Sequence, residues 1–129
     1  MRLLDIFRKN NKDDFIIWLD KVFEQELPKS IKAICFNLYD DGNNKWSVEL
    51  VGAASFDEEN PDWACDEVFT TRDNPYVLNI ESNWENILNI FTNKVNQYLN
   101  NGKYSKKIKE YDAVAIGFVD GDLDILYKK

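Results

Sequence analysis

The densest run of reactive side chains in this sequence is Asp57-Glu58-Glu59-Asn60-Pro61-Asp62-Trp63-Ala64-Cys65-Asp66-Glu67, in which six carboxylates surround one tryptophan. Asp120-Gly121-Asp122-Leu123-Asp124 repeats the theme on a smaller scale, and Asp40-Asp41-Gly42 does so again. Carboxylates this close together can steer a cationic partner, hold a metal ion, or divide the roles of general acid and general base. The tryptophan favours the first, because an aromatic anchor buries a large area while carboxylates set the long-range field. Asp57, Glu58, Glu59, Asp62, Trp63, Asp66 and Glu67 are therefore candidate partner-binding residues, with Asp120, Asp122 and Asp124 as a second candidate group. A plainer reading uses the same residues. The run is then a solvated acidic loop with Trp63 turned into the core, and the second group is a hairpin tip whose charges discourage edge-to-edge pairing.

Enzymatic and metal readings have less to draw on. The chain contains no histidine, so it lacks the commonest metal ligand and the side chain most used for proton transfer near neutral pH. The Asp-x-Asp-x-Asp-Gly spacing of a calcium loop is missing, and no metal, cofactor or catalytic residue is assigned. The alternative that remains is a carboxylate-based, metal-dependent enzyme using Asp62, Asp66, Glu67, Asp120 and Asp122, since burial can separate the pKa values of two carboxyl groups. A small-ligand-binding module is a further alternative.

Sixteen Lys+Arg stand against twenty-three Asp+Glu, a formal charge of −7. Such a field repels phosphate, arguing against nucleic acid and anionic membrane as partners and for a basic protein surface. Cys35 and Cys65 show no Cys-x-x-Cys or zinc spacing, and are expected to be reduced, mostly buried thiols of a cytoplasmic protein. Arg72, five residues after Glu67, can hold the acidic loop through a bidentate carboxylate contact. The opening residues MRLLDIFRKNNKDD carry too short an apolar run for a signal peptide, and no later segment approaches a membrane span.

These groups must be positioned by a single domain spanning residues 1–129. At 44% hydrophobic and 14% aromatic residues the chain is too apolar to be disordered and large enough for one core. Phe15, Leu19, Val22, Phe23 and Leu27 fall at helical spacing, with Asp13 or Asp14 to cap the start and Pro28 to end it. Ile34, Phe36 and Leu38 alternate, Asp40 to Asn44 supplies turn residues that tolerate positive φ, and Trp46, Val48 and Leu50 alternate in return, predicting a β-hairpin. Tyr76 to Ile80 is a short edge strand. Trp84, Ile87, Leu88, Phe91, Val95, Tyr98 and Leu99 form the apolar stripe of a long helix, read as core packing. Ser82 and Glu85 make a capping box before it, and Gly102 stands after it. Ala113 to Val119 and Leu123 to Tyr127 are the last two strands, joined at Asp120-Gly121. The order α-β-β-β-(β)-α-β-β predicts an α+β fold, an antiparallel sheet with both main helices on one face.

Phe56-Asp57 through Asp62-Trp63-Ala64-Cys65-Asp66-Glu67-Val68-Phe69, together with Ala115-Ile116-Gly117-Phe118-Val119-Asp120-Gly121-Asp122, resembles small acidic bacterial proteins encoded beside polymorphic or contact-dependent toxins as their immunity proteins. The resemblance implies a role, stoichiometric neutralisation of a cognate toxin domain. Because the folds of such proteins are diverse, it implies no particular binding residue. A nuclease-type toxin is basic where it holds phosphate, so an acidic inhibitor can occupy that surface.

Overall fold

A computed structural model describes residues 13–129; the reading of the first twelve residues lies outside this range. Helix α1 (Asp14–Glu24) starts where Asp13 accepts the Phe15 amide at 2.9 Å. Strands β1 (Ala33–Gly42) and β2 (Lys45–Ala53) form the hairpin, and Asn43 and Asn44 both take positive φ at its tip. Those are the two residues of a primed turn, whose twist matches that of the flanking strands. A short 3₁₀ helix (Pro61–Cys65) precedes β3 (Glu67–Thr70) and β4 (Tyr76–Asn79). Helix α2 (Trp84–Asn101), a one-turn helix α3 (Ser105–Ile108), β5 (Ala113–Phe118) and β6 (Asp124–Lys128) complete the chain.

The result is an α+β domain built on a six-stranded sheet, ordered β3-β2-β1-β5-β6, with β4 also paired to β2. The sheet is mixed where an antiparallel one was expected. β1 and β5 run parallel, with Ala33 opposite Ala113 and Leu38 opposite Phe118. The reason is topological: the chain leaves the first hairpin, crosses the sheet through α2, and re-enters beside β1 in the same direction. β3 and β4 act as one interrupted edge strand along β2. At the interruption Thr71 replaces the ladder, accepting the Leu50 amide on its hydroxyl and donating its own amide to Leu50 O.

Both long helices lie on one face of the sheet, as the patterning predicts. Ile34, Phe36, Leu38, Trp46, Val48, Leu50, Val114 and Ile116 meet Phe15, Leu19, Phe23, Ile87, Phe91 and Val95 in a single core. Phe15 is the hub, its ring 5.3 to 6.3 Å from those of Trp18, Phe36, Tyr76 and Phe91, stacked on Trp18 and tilted or edge-on to the other three, the offset and edge-on arrangements that aromatic quadrupoles favour. Polar ties lock the helices together. Asp13 pairs with Lys94, Tyr98 Oη donates to Asp20 at 2.8 Å, and Lys107 Nζ donates to Phe23 O at 2.6 Å near the end of α1.

The start of α2 corrects the capping-box expectation. Asn83, one residue later than Ser82, is the N-cap, and its side chain accepts the Asn86 amide at 2.8 Å. Asn83→Ala is therefore expected to lower stability by about 1 kcal/mol, while Ser82→Ala stays within about 0.5 kcal/mol of wild type. Urea denaturation checks this, the Asn83→Ala midpoint falling with an unchanged slope.

Candidate functional site

The opposite face of the sheet presents Ala33, Cys35, Val51, Ala53, Ala113 and Ala115. Small side chains keep this face low, so a loop rather than a helix can close it. The acidic run does so. Trp63, at 5% exposure, inserts into this second core, and its ring meets Phe56 edge-on at 5.3 Å. The candidate anchor residue is thus a core residue, and the plainer reading of Trp63 holds. The indole supplies the apolar area that the small strand residues do not.

With Trp63 turned inward, the carboxylates around it turn out. Asp57, Glu58, Glu59, Asp62, Asp66 and Glu67 are all exposed. They do not share one task. Asp57 Oδ1 accepts the Glu59 amide at 2.9 Å and shapes the turn. Glu58 pairs with Lys128 of β6 at 2.7 Å. Glu67 receives both of its contacts, at 2.9 and 3.1 Å, from Arg72 Nη2. The expected Arg72 contact is present, and it extends further than the spacing suggested.

Arg72 also reaches Glu49. Its Nε donates to Glu49 Oε2 at 2.7 Å and its Nη2 to Oε1 at 3.3 Å. Glu49 sits mid-strand at 2% exposure, where a carboxylate is costly unless its oxygens are occupied. Asn37 Nδ2 at 3.3 Å and Tyr39 Oη at 3.2 Å complete the set, and Cys35 Sγ donates to Asn37 Oδ1 at 3.3 Å. A guanidinium between two carboxylates is held in its charged form, its pKa raised first by the hydrogen bonds to Glu49 and Glu67. The Tyr39 hydroxyl is pushed up by burial and then by the Glu49 charge. Sequence reading missed Glu49; its one signal is a lone acid, Ser47-Val48-Glu49-Leu50-Val51, inside an otherwise apolar strand.

Two grooves flank the β5–β6 connection. The first, about 490 Å³, has Asn37 and Tyr39 among its lining residues, with Asp62, Cys65 and Glu67 of the acidic loop and Val119 and Leu123 of the hairpin. It sets Asp62 and Glu67 of the acidic loop beside the β5–β6 connection, but Asp120, Asp122 and Asp124 do not line it. The second, about 570 Å³, is lined by Asp40, Asp120, Asp122 and Asp124 together with Trp84, Leu88 and Phe118. Among the described residues, no Lys or Arg lines either groove. The hairpin is positioned by Gly117, where an added Cβ would stand 2.3 Å from Asp122 O. Gly117, not Gly121, is the residue this loop cannot replace.

Trp84 departs from its expected place. As the first residue of α2 it projects past the core, 56% exposed, with its ring edge-on to Phe118 at 6.3 Å. Its position ahead of the first full turn is the signal that it belongs to the rim of the apolar stripe. Among the described residues no three Cys, Asp or Glu side chains converge closely enough to hold a metal ion. Both cysteines are free, but only Cys35 is buried; Cys65 is exposed and corrects the expectation of two buried thiols. Comparison of the chain with protein-family models, with characterised proteins and with solved structures finds no significant match.

Two outcomes follow. Trp63→Ala is expected to cost about 3–5 kcal/mol, a core loss read by urea denaturation. The cysteines should separate by reactivity. Burial, with the Glu49 charge next, pushes the Cys35 thiol up from 9.0 to about 12, so iodoacetamide at mildly alkaline pH should label native protein once, at Cys65, by mass spectrometry. The raised thiol favours the fold below pH 9.0, and that contribution is lost as pH rises through about 12. Cys35→Ala should flatten this part of the alkaline limb in melts followed by circular dichroism.

Proposed function

We propose that this chain is a cytoplasmic immunity protein that binds a cognate toxin domain with a basic surface and neutralises it stoichiometrically, with no chemistry of its own. The observation that carries this reading is a pair of grooves on either side of the β5–β6 connection, one walled by the acidic loop and one by the hairpin acids, with carboxylates and no cation among the described residues that line them. Such a surface accelerates encounter with a cationic partner and rejects anionic ones. The polar ties around it favour a fixed shape. Arg72 holds Glu67 to the sheet, and Trp63 holds the loop beneath it, so little ordering entropy is spent on binding. Among the described residues no helix is long and apolar enough to cross a membrane.

Co-expression with toxins encoded by neighbouring genes tests the reading, scored by survival and by one-to-one co-purification. Protection of residues 57–67 and 118–124 from amide exchange in the complex is the expected footprint. Asp62→Asn combined with Asp120→Asn should slow association about tenfold at low ionic strength and flatten its salt dependence, while leaving dissociation nearly unchanged. Free monomer with no rescue of growth for every neighbouring toxin would overturn it.

A further inference from the structure

The groove at the start of α2 combines two features seldom found on one surface. Its floor is apolar, made by Leu88, Phe118 and the exposed ring of Trp84, and its rim carries Asp40, Asp120, Asp122 and Asp124. A groove built for an apolar ligand would not ring itself with charge, because each buried carboxylate would then need a counterion. The carboxylates are also spread too widely for a bare cation, since no three of them converge at metal-ligand spacing. An extended cation on an aliphatic stem fits both features. Its methylenes cover apolar surface while the head group stays among the acids, and a guanidinium over an indole adds cation–π attraction.

We infer that this groove receives an arginine or lysine side chain of a basic protein partner, with the stem against Trp84 and the head group among Asp40, Asp120, Asp122 and Asp124. The rim acids come from different elements: Asp40 lies near the C-terminal end of β1 and Asp120 just past that of the parallel strand β5, so the fold gathers like charges there, a field that a cationic head group relieves. The inference deepens the inhibitor reading, and rests on it for the partner being a protein.

Trp84 supplies the readout. Of the four tryptophans, Trp18, Trp46 and Trp63 are buried, so acrylamide quenching of native fluorescence reports mainly on Trp84. Hexa-arginine added to the full-length protein at low ionic strength should shield Trp84 from acrylamide in a saturable manner, reversed by salt. Its neutral isostere, hexa-citrulline, should not. Titration calorimetry should show hexa-arginine binding about fivefold weaker to Trp84→Leu and weaker still to Asp120→Asn with Asp122→Asn, both variants keeping the wild-type urea midpoint. Absence of shielding, equal affinity in the variants, or a dimer in sedimentation that already shields Trp84 would each overturn the inference. The two readings fail separately. Toxin neutralisation that survives Trp84→Leu with Asp120→Asn removes this groove and keeps the inhibitor, whereas shielding by hexa-arginine without rescue by any toxin pair keeps the groove and removes the inhibitor.

Discussion

A sheet has two faces, and the two long helices of the described residues are both spent on the same one. The other face must be closed by a loop, and the rest of the surface follows from how that is done. A loop carries backbone polar groups that a helix would satisfy internally. It can lie close to the sheet only if the strands beneath it are low. Alanines and Cys35 on β1, β2 and β5 provide the height, and Asp57 and Asn60 bend the loop by taking the amides of Glu59 and Asp62. Trp63 is the large side chain buried there, with Phe56 half-buried against it. Its burial obliges the flanking acids to face water, so the acidic surface is a consequence of packing as much as of charge.

Glu49 shows the same coupling in the other direction. The second face is only partly covered, and where the loop ends a polar residue can occupy a strand interior if its oxygens are matched. Arg72 matches them from the edge of the sheet, because the break between β3 and β4 lets the chain bulge there. With its side chain 57% exposed, Arg72 keeps its own hydration while neutralising a carboxylate that has none. One guanidinium thus serves a buried acid and an exposed one, and fixes the wall of the first groove.

The acids at the hairpin tip are crowded, with no cation among the described residues of their groove. The first turn of α2, which begins at Trp84 beside this groove, offers the positive end of a helix dipole, which lowers the cost of negative charge nearby. The lysines after α2 complement its other end in the same way.

The α+β class, the first hairpin, both long helices and their shared face were legible in the sequence, because side-chain periodicity is set by local backbone geometry. Asn43 and Asn44 declared their turn for the same reason. So did the concentration of acid in two segments, since charge is a property of composition. What only the tertiary structure decided is direction and company. The parallel pairing of β1 with β5 depends on how a long crossover folds back, which no local pattern encodes. Whether Trp63 points in and Trp84 points out depends on the space left by residues far away in sequence, the alanines of three strands in one case and Phe118 in the other. The Glu49–Arg72–Glu67 bridge spans three segments and was visible only as one acid too many in an apolar strand. Sequence patterns state what each residue prefers; the fold decides which of two acceptable places it receives, because packing volume is shared among neighbours the chain brings together only at the end.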